Sequence, residues 1–182
     1  MDDDEGHDVR IRAERAEDHD AIRSVITSAF KSPVEARLVE EIRGSPYFIA
    51  DLALVAEVDG DVVGHVMVSY TDMHDGEQRH RIHLLSPLAV THAFQHRGIG
   101  SGLVMRVTEL ADDAGAPLVI LEGEPGFYGR LGFEHSVPHG ILIDLPSWAP
   151  PEAAQILRLR SYEPSVRGKV VFPPAFAALG DH

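Results

Sequence analysis

Leu88-Ala89-Val90-Thr91-His92-Ala93-Phe94-Gln95-His96-Arg97-Gly98-Ile99-Gly100-Ser101 is the stretch on which the reading of this chain turns. Leu84, Leu85, Leu88, Ala89 and Val90 form an apolar run that reads as a buried strand. From Ile99 the apolar period becomes helical: Ile99, Leu103, Val107, Leu110 and Ala114, with Val104 and Ala111 widening the stripe. Between the two lies Gln95 to Gly100, with glycines where a Cβ would hold a ligand away from the backbone. N–H groups at a helix N-terminus point outward, and the helix dipole there favours negative charge. The strand–turn–helix therefore predicts a phosphate site. The plainer reading is a glycine-rich turn that only starts a helix.

The run fits neither common nucleotide motif. A P-loop needs a Lys after its second glycine, and lysine occurs only at 31 and 169. A dinucleotide fingerprint needs a third glycine, where Leu103 stands.

Outward from this stretch, the elements fall in a regular order. Val9 to Ala13 alternates as a first strand. Glu17, Asp18 and Asp20 suit the first turn of a helix whose apolar face is Ile22, Val25, Ile26, Ala29 and Phe30. Ser32-Pro33-Val34-Glu35 reads as a capping box opening a second helix that ends at Gly44. These two short helices can wall a substrate cleft. Asp51–Val58 and Asp61–Tyr70 read as strands joined by the hairpin signal Asp59-Gly60. The polar stretch 71–81 reads as a loop, and 82–90 as the next strand, with Pro87 implying a bulge or a place where neighbouring strands part. After the helix at 99–114, Leu118 to Leu121 is a short buried strand, so 82–121 forms a βαβ unit. A short helix over 125–131, a strand at 141–145, and a closing strand pair at 154–162 and 169–172 complete the expected order. Residues 1–7 and 177–182 are expected as tails around one domain at 8–176.

Composition limits the function classes. The 182 residues suffice for one substantial core, and 44% hydrophobic with 25% charged residues is a globular balance. The absence of cysteine excludes disulfides, Cys zinc sites and thiol catalysis. A formal charge of −13 argues against nucleic acid and anionic membrane as partners and is compatible with a cationic substrate. No apolar run reaches the roughly 18 residues of a spanning helix, and Met1 to Glu5 has no signal-peptide pattern, so a cytoplasmic location is expected. His74, His80, His83, His92 and His96 make no metal signature, so no metal is expected.

Gln95-x-x-Gly98-x-Gly100 resembles the pyrophosphate-binding signature of the GNAT superfamily of N-acetyltransferases. Phe127-Tyr128-Gly129-Arg130-Leu131-Gly132-Phe133, one helix and one strand downstream, resembles the Tyr-x-x-x-Gly-Phe signature of the same superfamily. Leu85 to Val90, Phe127 to Arg130 and Val171 to Phe176 look like a small prokaryotic subgroup with a C-terminal extension. The resemblance spans about 8–176.

It implies an α/β fold: a mixed, mostly antiparallel central sheet, splayed between the strands at 82–90 and 117–122, with helices on both faces. Acetyl-CoA, the acyl donor, would lie in the splay. The backbone of Leu88, Ala89 and Val90 would meet its pantetheine arm, with Phe127 beside it. N–H groups from His96, Arg97, Gly98, Ile99, Gly100 and Ser101 would hold the pyrophosphate, with the Gln95 and Arg97 side chains alongside. Tyr128 would be the general acid. Two positions depart from the family pattern. Leu121 stands where many members carry asparagine, and His83 lies near a common glutamate base. His83 is a candidate base, or a strand histidine at a cleft edge; Glu122 and Glu124 are other base candidates or loop carboxylates. The implied reaction is direct acetyl transfer to a small-molecule or peptide primary amine by a monomer or homodimer. The alternative on the same fold is a non-catalytic acyl-CoA-binding or regulatory domain.

Overall fold

Apolar alternation builds the sheet, and helical stripes cover its two faces. In the computed structural model, which describes residues 8–179, the elements are β1 (Val9–Ala13), α1 (His19–Phe30), α2 (Val34–Arg43), β2 (Ala53–Val58), β3 (Asp61–Asp75), β4 (Gln78–Val90), α3 (Ile99–Asp113), β5 (Leu118–Glu122), α4 (Pro125–Gly129), β6 (Glu134–His135), β7 (Ile141–Leu142), β8 (Ala154–Arg158) and β9 (Gly168–Val171). The tail expected at 1–7 lies outside the described residues. The sheet runs β1-β2-β3-β4-β5-β8-β6, with β9 also on β3 and β7 on β9. All pairs are antiparallel except β4–β5 and β7–β9.

On β3 the side chains divide by parity. Val66 and Val68 enter a core with Leu103, Val104 and Val107 of α3, while Met67 enters a core with Ile22 and Ile26 of α1 and Val39 and Ile42 of α2. Each such buried aliphatic side chain contributes about 1.5–3 kcal/mol relative to exposure. A third core, on the strands of the lower sheet, joins Met73, Ile82, Leu84, Ile120 and Ile156.

Several expectations need correction. Residues 71–81 are not a loop: β3 continues to Asp75, Gly76 and Glu77 turn, and β4 begins at Gln78, with Asp75 opposite Gln78. The closing strands do not pair with each other. β8 lies between β5 and β6, whereas β9 lies beside β3, where Asp72 meets Val171. The strand expected at 141–145 shrinks to Ile141–Leu142. The capping box does not form. Pro33 precedes the helix rather than opening it, and the Val34 N–H donates to Ser32 Oγ at 3.2 Å. The packed chain also runs past 176: a 3-10 helix over Pro174–Leu179 lies on α2, with Leu179 against the α1–α2 core.

Beneath α1 and α2 sits a buried polar group. Glu14 accepts from Arg43 Nη2 at 2.6 Å, and its other oxygen lies 3.6 Å from Nε2 of the fully buried His65. His19 Nε2 is 3.5 Å from Glu14. Burial pushes the His65 imidazole below its ordinary value, against the pull of Glu14. Burial pushes the Glu14 carboxyl up, but His65 and Arg43 together outweigh it and bring the group below the usual range.

Candidate active site

A bulge in β4 sets the geometry. Val66 faces Leu88 but Val68 faces Leu85, so Ser86 and Pro87 are accommodated opposite Met67. An inserted residue reverses the side-chain parity of everything beyond it. Leu85 and Leu88 consequently both pack toward the α3 core although they are three apart.

The bulge also coincides with the parting of the strands. β4 pairs with β5 only at His83–Val119 and Leu84–Ile120; beyond these rungs the two diverge. Thr91 N–H donates to Val63 O. In an antiparallel ladder, bonding direction alternates residue by residue. Ala89 therefore points its backbone toward β3, and Leu88 and Val90 point theirs into the open side. Consistent with this, the Val90 carbonyl accepts from Gln95 Nε2 at 3.0 Å. Gln95 thus pins the turn to the strand end instead of standing free beside it.

The turn follows directly. His96 has φ 63° and Gly98, the residue before α3, has φ 82°, and no side chain caps the helix. The first intrahelical bond is Gly102 N–H to Gly98 O at 3.0 Å. The N–H groups of Ile99, Gly100 and Ser101 precede it and have no helical acceptor. Arg97 stacks over the Phe94 ring at 5.2 Å. A Cβ on Gly100 would lie 3.7 Å from Phe127 and 3.8 Å from both Leu88 and Val90. That single position therefore looks onto the Leu88 and Val90 side chains and the α4 ring together. The chemistry of the set suits a chain with amide groups and a diphosphate: an open strand edge leads to uncapped N–H groups.

Tyr128 closes the other side. Glu124, whose carboxylate accepts from Gly126 N–H at 3.2 Å, caps α4 and so has a structural task. Tyr128 packs edge-on to Phe127 at 4.8 Å and Phe133 at 5.5 Å. Burial pushes its hydroxyl up to about 12, so it keeps its proton at neutral pH. Gly123, which the sequence reading did not single out, admits the ring. Its backbone is bound on both sides, by N–H donation to Ala153 O at 3.0 Å and by acceptance from Gln155 Nε2 at 3.0 Å. Leu121 is fully buried in the α3-side core, and Glu122 is exposed at the end of β5.

His83 lies on the first of the two β4–β5 rungs, on the same side as Leu85. Its ring contacts Tyr70 at 5.2 Å, and its Nδ1 is buried with no hydrogen-bond partner. Burial pushes the imidazole below its ordinary value, which leaves it neutral and able to accept a proton.

A family model described as an acetyltransferase (GNAT) domain matches residues 50–135. The uncharacterized N-acetyltransferase YhbS of Escherichia coli is 32% identical over 137 residues, covering 75% of this chain and 80% of that protein. The crystal structure of Escherichia coli YhbS in complex with CoA superposes with a TM-score of 0.85 at 27% identity, covering 99% of this chain and 98% of that one. A GNAT acetyltransferase from Brucella melitensis, in complex with acetyl-CoA, superposes with a TM-score of 0.75 at 29% identity, covering 93% of this chain and 99% of that one. With the splayed sheet, the uncapped glycine turn and these relatives in agreement, the chain belongs to the GNAT family of N-acetyltransferases.

Proposed function

We propose that the chain transfers an acetyl group from acetyl-CoA to a primary amine by direct attack in a ternary complex. The observation that carries this reading is the convergence at Gly100, whose bare Cα faces Leu88, Val90 and Phe127 at once. The complexes of the two relatives with CoA and acetyl-CoA support the same donor.

In this reading the backbone of Leu88 and Val90 pairs with the pantetheine amides, while Ala89, expected to share that task, is turned into the β3 ladder. The N–H groups from His96 to Ser101 bind the pyrophosphate, with Arg97 adding charge and Phe127 covering the chain. His83 takes a proton from the amine. The nitrogen forms its bond to the acetyl carbon as the carbon–sulfur bond breaks, and the electron pair moves to sulfur. Tyr128 gives its proton to that sulfur, and solvent restores the phenol. For a neutral amine, the proton lost by nitrogen balances the one gained by the thiol.

The test is thiol release from acetyl-CoA with a panel of amines, alongside calorimetric titration of acetyl-CoA. Amine-dependent release with acetylated product supports the proposal. Tight acetyl-CoA binding with no turnover of any amine supports the non-catalytic acyl-CoA-binding domain instead.

A further inference from the structure

At the end of α3 remote from the glycine turn, a groove of about 610 Å³ runs between the helix and the sheet. Its size is that of a small-molecule site. Ile49, Leu52, Leu54 and Leu110 give it an apolar lining, which Tyr70 and His83 share. Arg81 lies 5.3 Å from the Tyr70 ring and 5.3 Å from the Tyr47 ring, and Tyr47 donates to Asp72 at 3.4 Å. Arg81 thus already supplies a cation to the Tyr70 ring, and the atom left open in the groove is the buried, unpartnered Nδ1 of His83 beside that ring. A neutral imidazole nitrogen that carries no proton accepts a hydrogen bond from an amine N–H.

The charges at the rim select the other end of the ligand. Arg12 is held by Asp18 at 2.7 Å and Glu57 at 2.9 Å. Arg106 pairs with Glu109 at 3.3 Å, and Asp113 pairs with Arg160 at 2.9 Å. Asp51 is exposed and has no ion-pair partner among the described residues. The charge left over at the mouth is negative.

We infer that this groove binds a chain amine: one nitrogen at His83, an apolar stem along the leucines, and a positive group at Asp51. Resting on the acetyl-transfer reading, this diamine-like molecule is the acceptor, and its inner nitrogen reaches His83, one residue inside the rung at which the split opens. Three probes of equal stem length separate the contributions: 1,6-diaminohexane, hexylamine and 6-aminohexanoate. The expected order of KM is diamine lowest and amino acid highest, with the diamine about three- to fivefold below hexylamine, as one partly exposed ion pair allows. Asp51→Asn should erase that difference and leave hexylamine unchanged. Leu110→Trp should fill the passage and raise KM for both amines at least about tenfold, with acetyl-CoA affinity unchanged. Unaltered amine KM in both variants overturns the inference. If no amine is acetylated, magnetic resonance of CoA-saturated protein decides. Diaminohexane shifting the Tyr70 and His83 signals in the wild type but not in Leu110→Trp keeps the groove and overturns the acceptor role. No shift overturns both.

Discussion

A Cβ on Gly123 would lie 2.5 Å from Cε2 and 2.8 Å from Cδ2 of Tyr128. The Tyr128 ring occupies the space that any other residue at 123 would take. Gly123→Ala should therefore displace the ring while leaving the glycine turn before α3 intact. The expected outcome is kcat reduced about 10- to 100-fold, as small misplacements of a catalytic group produce, with acetyl-CoA affinity held within about twofold. Steady-state kinetics and calorimetry on the same preparation check it. Wild-type kcat in Gly123→Ala would falsify the link between this contact and catalysis.

Tyr128→Phe keeps the ring and its edge contacts and removes only the donor. A positioned acid is worth about 10²- to 10⁴-fold, so kcat should fall in that range with the melting temperature nearly unchanged. Burial holds the hydroxyl protonated up to about 12. The wild-type rate should thus show no loss from this group near the ordinary phenol value of about 10. A descending limb at that pH that disappears in Tyr128→Phe would show the hydroxyl titrating at its ordinary value, whereas wild-type kcat in Tyr128→Phe would overturn the role as acid.

Gly100→Ala places one methyl group where Phe127, Leu88 and Val90 leave ordinary contact distance to a Cβ. The fold should tolerate the change, while a chain lying along the strand edge should not. The expected result is acetyl-CoA affinity weakened at least about tenfold, that is by 1.4 kcal/mol or more. Titration calorimetry measures it, and circular dichroism confirms folding. Unchanged affinity in a folded variant would move the pyrophosphate site elsewhere.

The buried His65 sets an acid limit on stability. Its folded value is depressed, so the unfolded chain binds the proton more readily. The contribution is present above the unfolded value of about 6.5 and is lost as pH falls through the folded one. Glu14, also depressed, adds a loss beginning below its own ordinary value of 4.5. The melting temperature should decline from about pH 6.5 downward, and His65→Gln should flatten the upper part of that decline. Parallel slopes for both proteins between about pH 6.5 and 5 would show that another group is responsible.

Much of this was readable from local pattern. Asp59-Gly60 marked a hairpin, the change of period at Ile99 marked the start of a helix, and Pro87 marked the bulge, each through chemistry within a few residues. Residues 71–81 were misread because they form a mostly polar hairpin, Asp75 opposite Gln78, whose outer edge is covered only by β9, about a hundred residues away. Thr71 Oγ1 donates to Val171 O at 3.0 Å, and both Thr71 and Met73 are buried. Strand preference of this kind depends on neighbours, not on local propensity. Which face His83 and Leu88 share could not be read either. The bulge at Ser86–Pro87 changes the parity, and counting along the strand does not locate the inserted residue. The need for glycine at 123 is a matter of where a ring five residues later is packed.

The position of β9 has a consequence for how the molecule is made. β2 begins at Ala53, opposite Met67, so the far end of β3 finds its second neighbour only in β9. As the polypeptide emerges during synthesis, Asp72 to His74 must wait nearly a hundred residues for that neighbour. Until then their outward amides and carbonyls form a bare rim that can recruit any extended segment. A nascent or truncated chain that stops short of Gly168 carries that rim permanently, and should be the form that associates and is cleared by proteases.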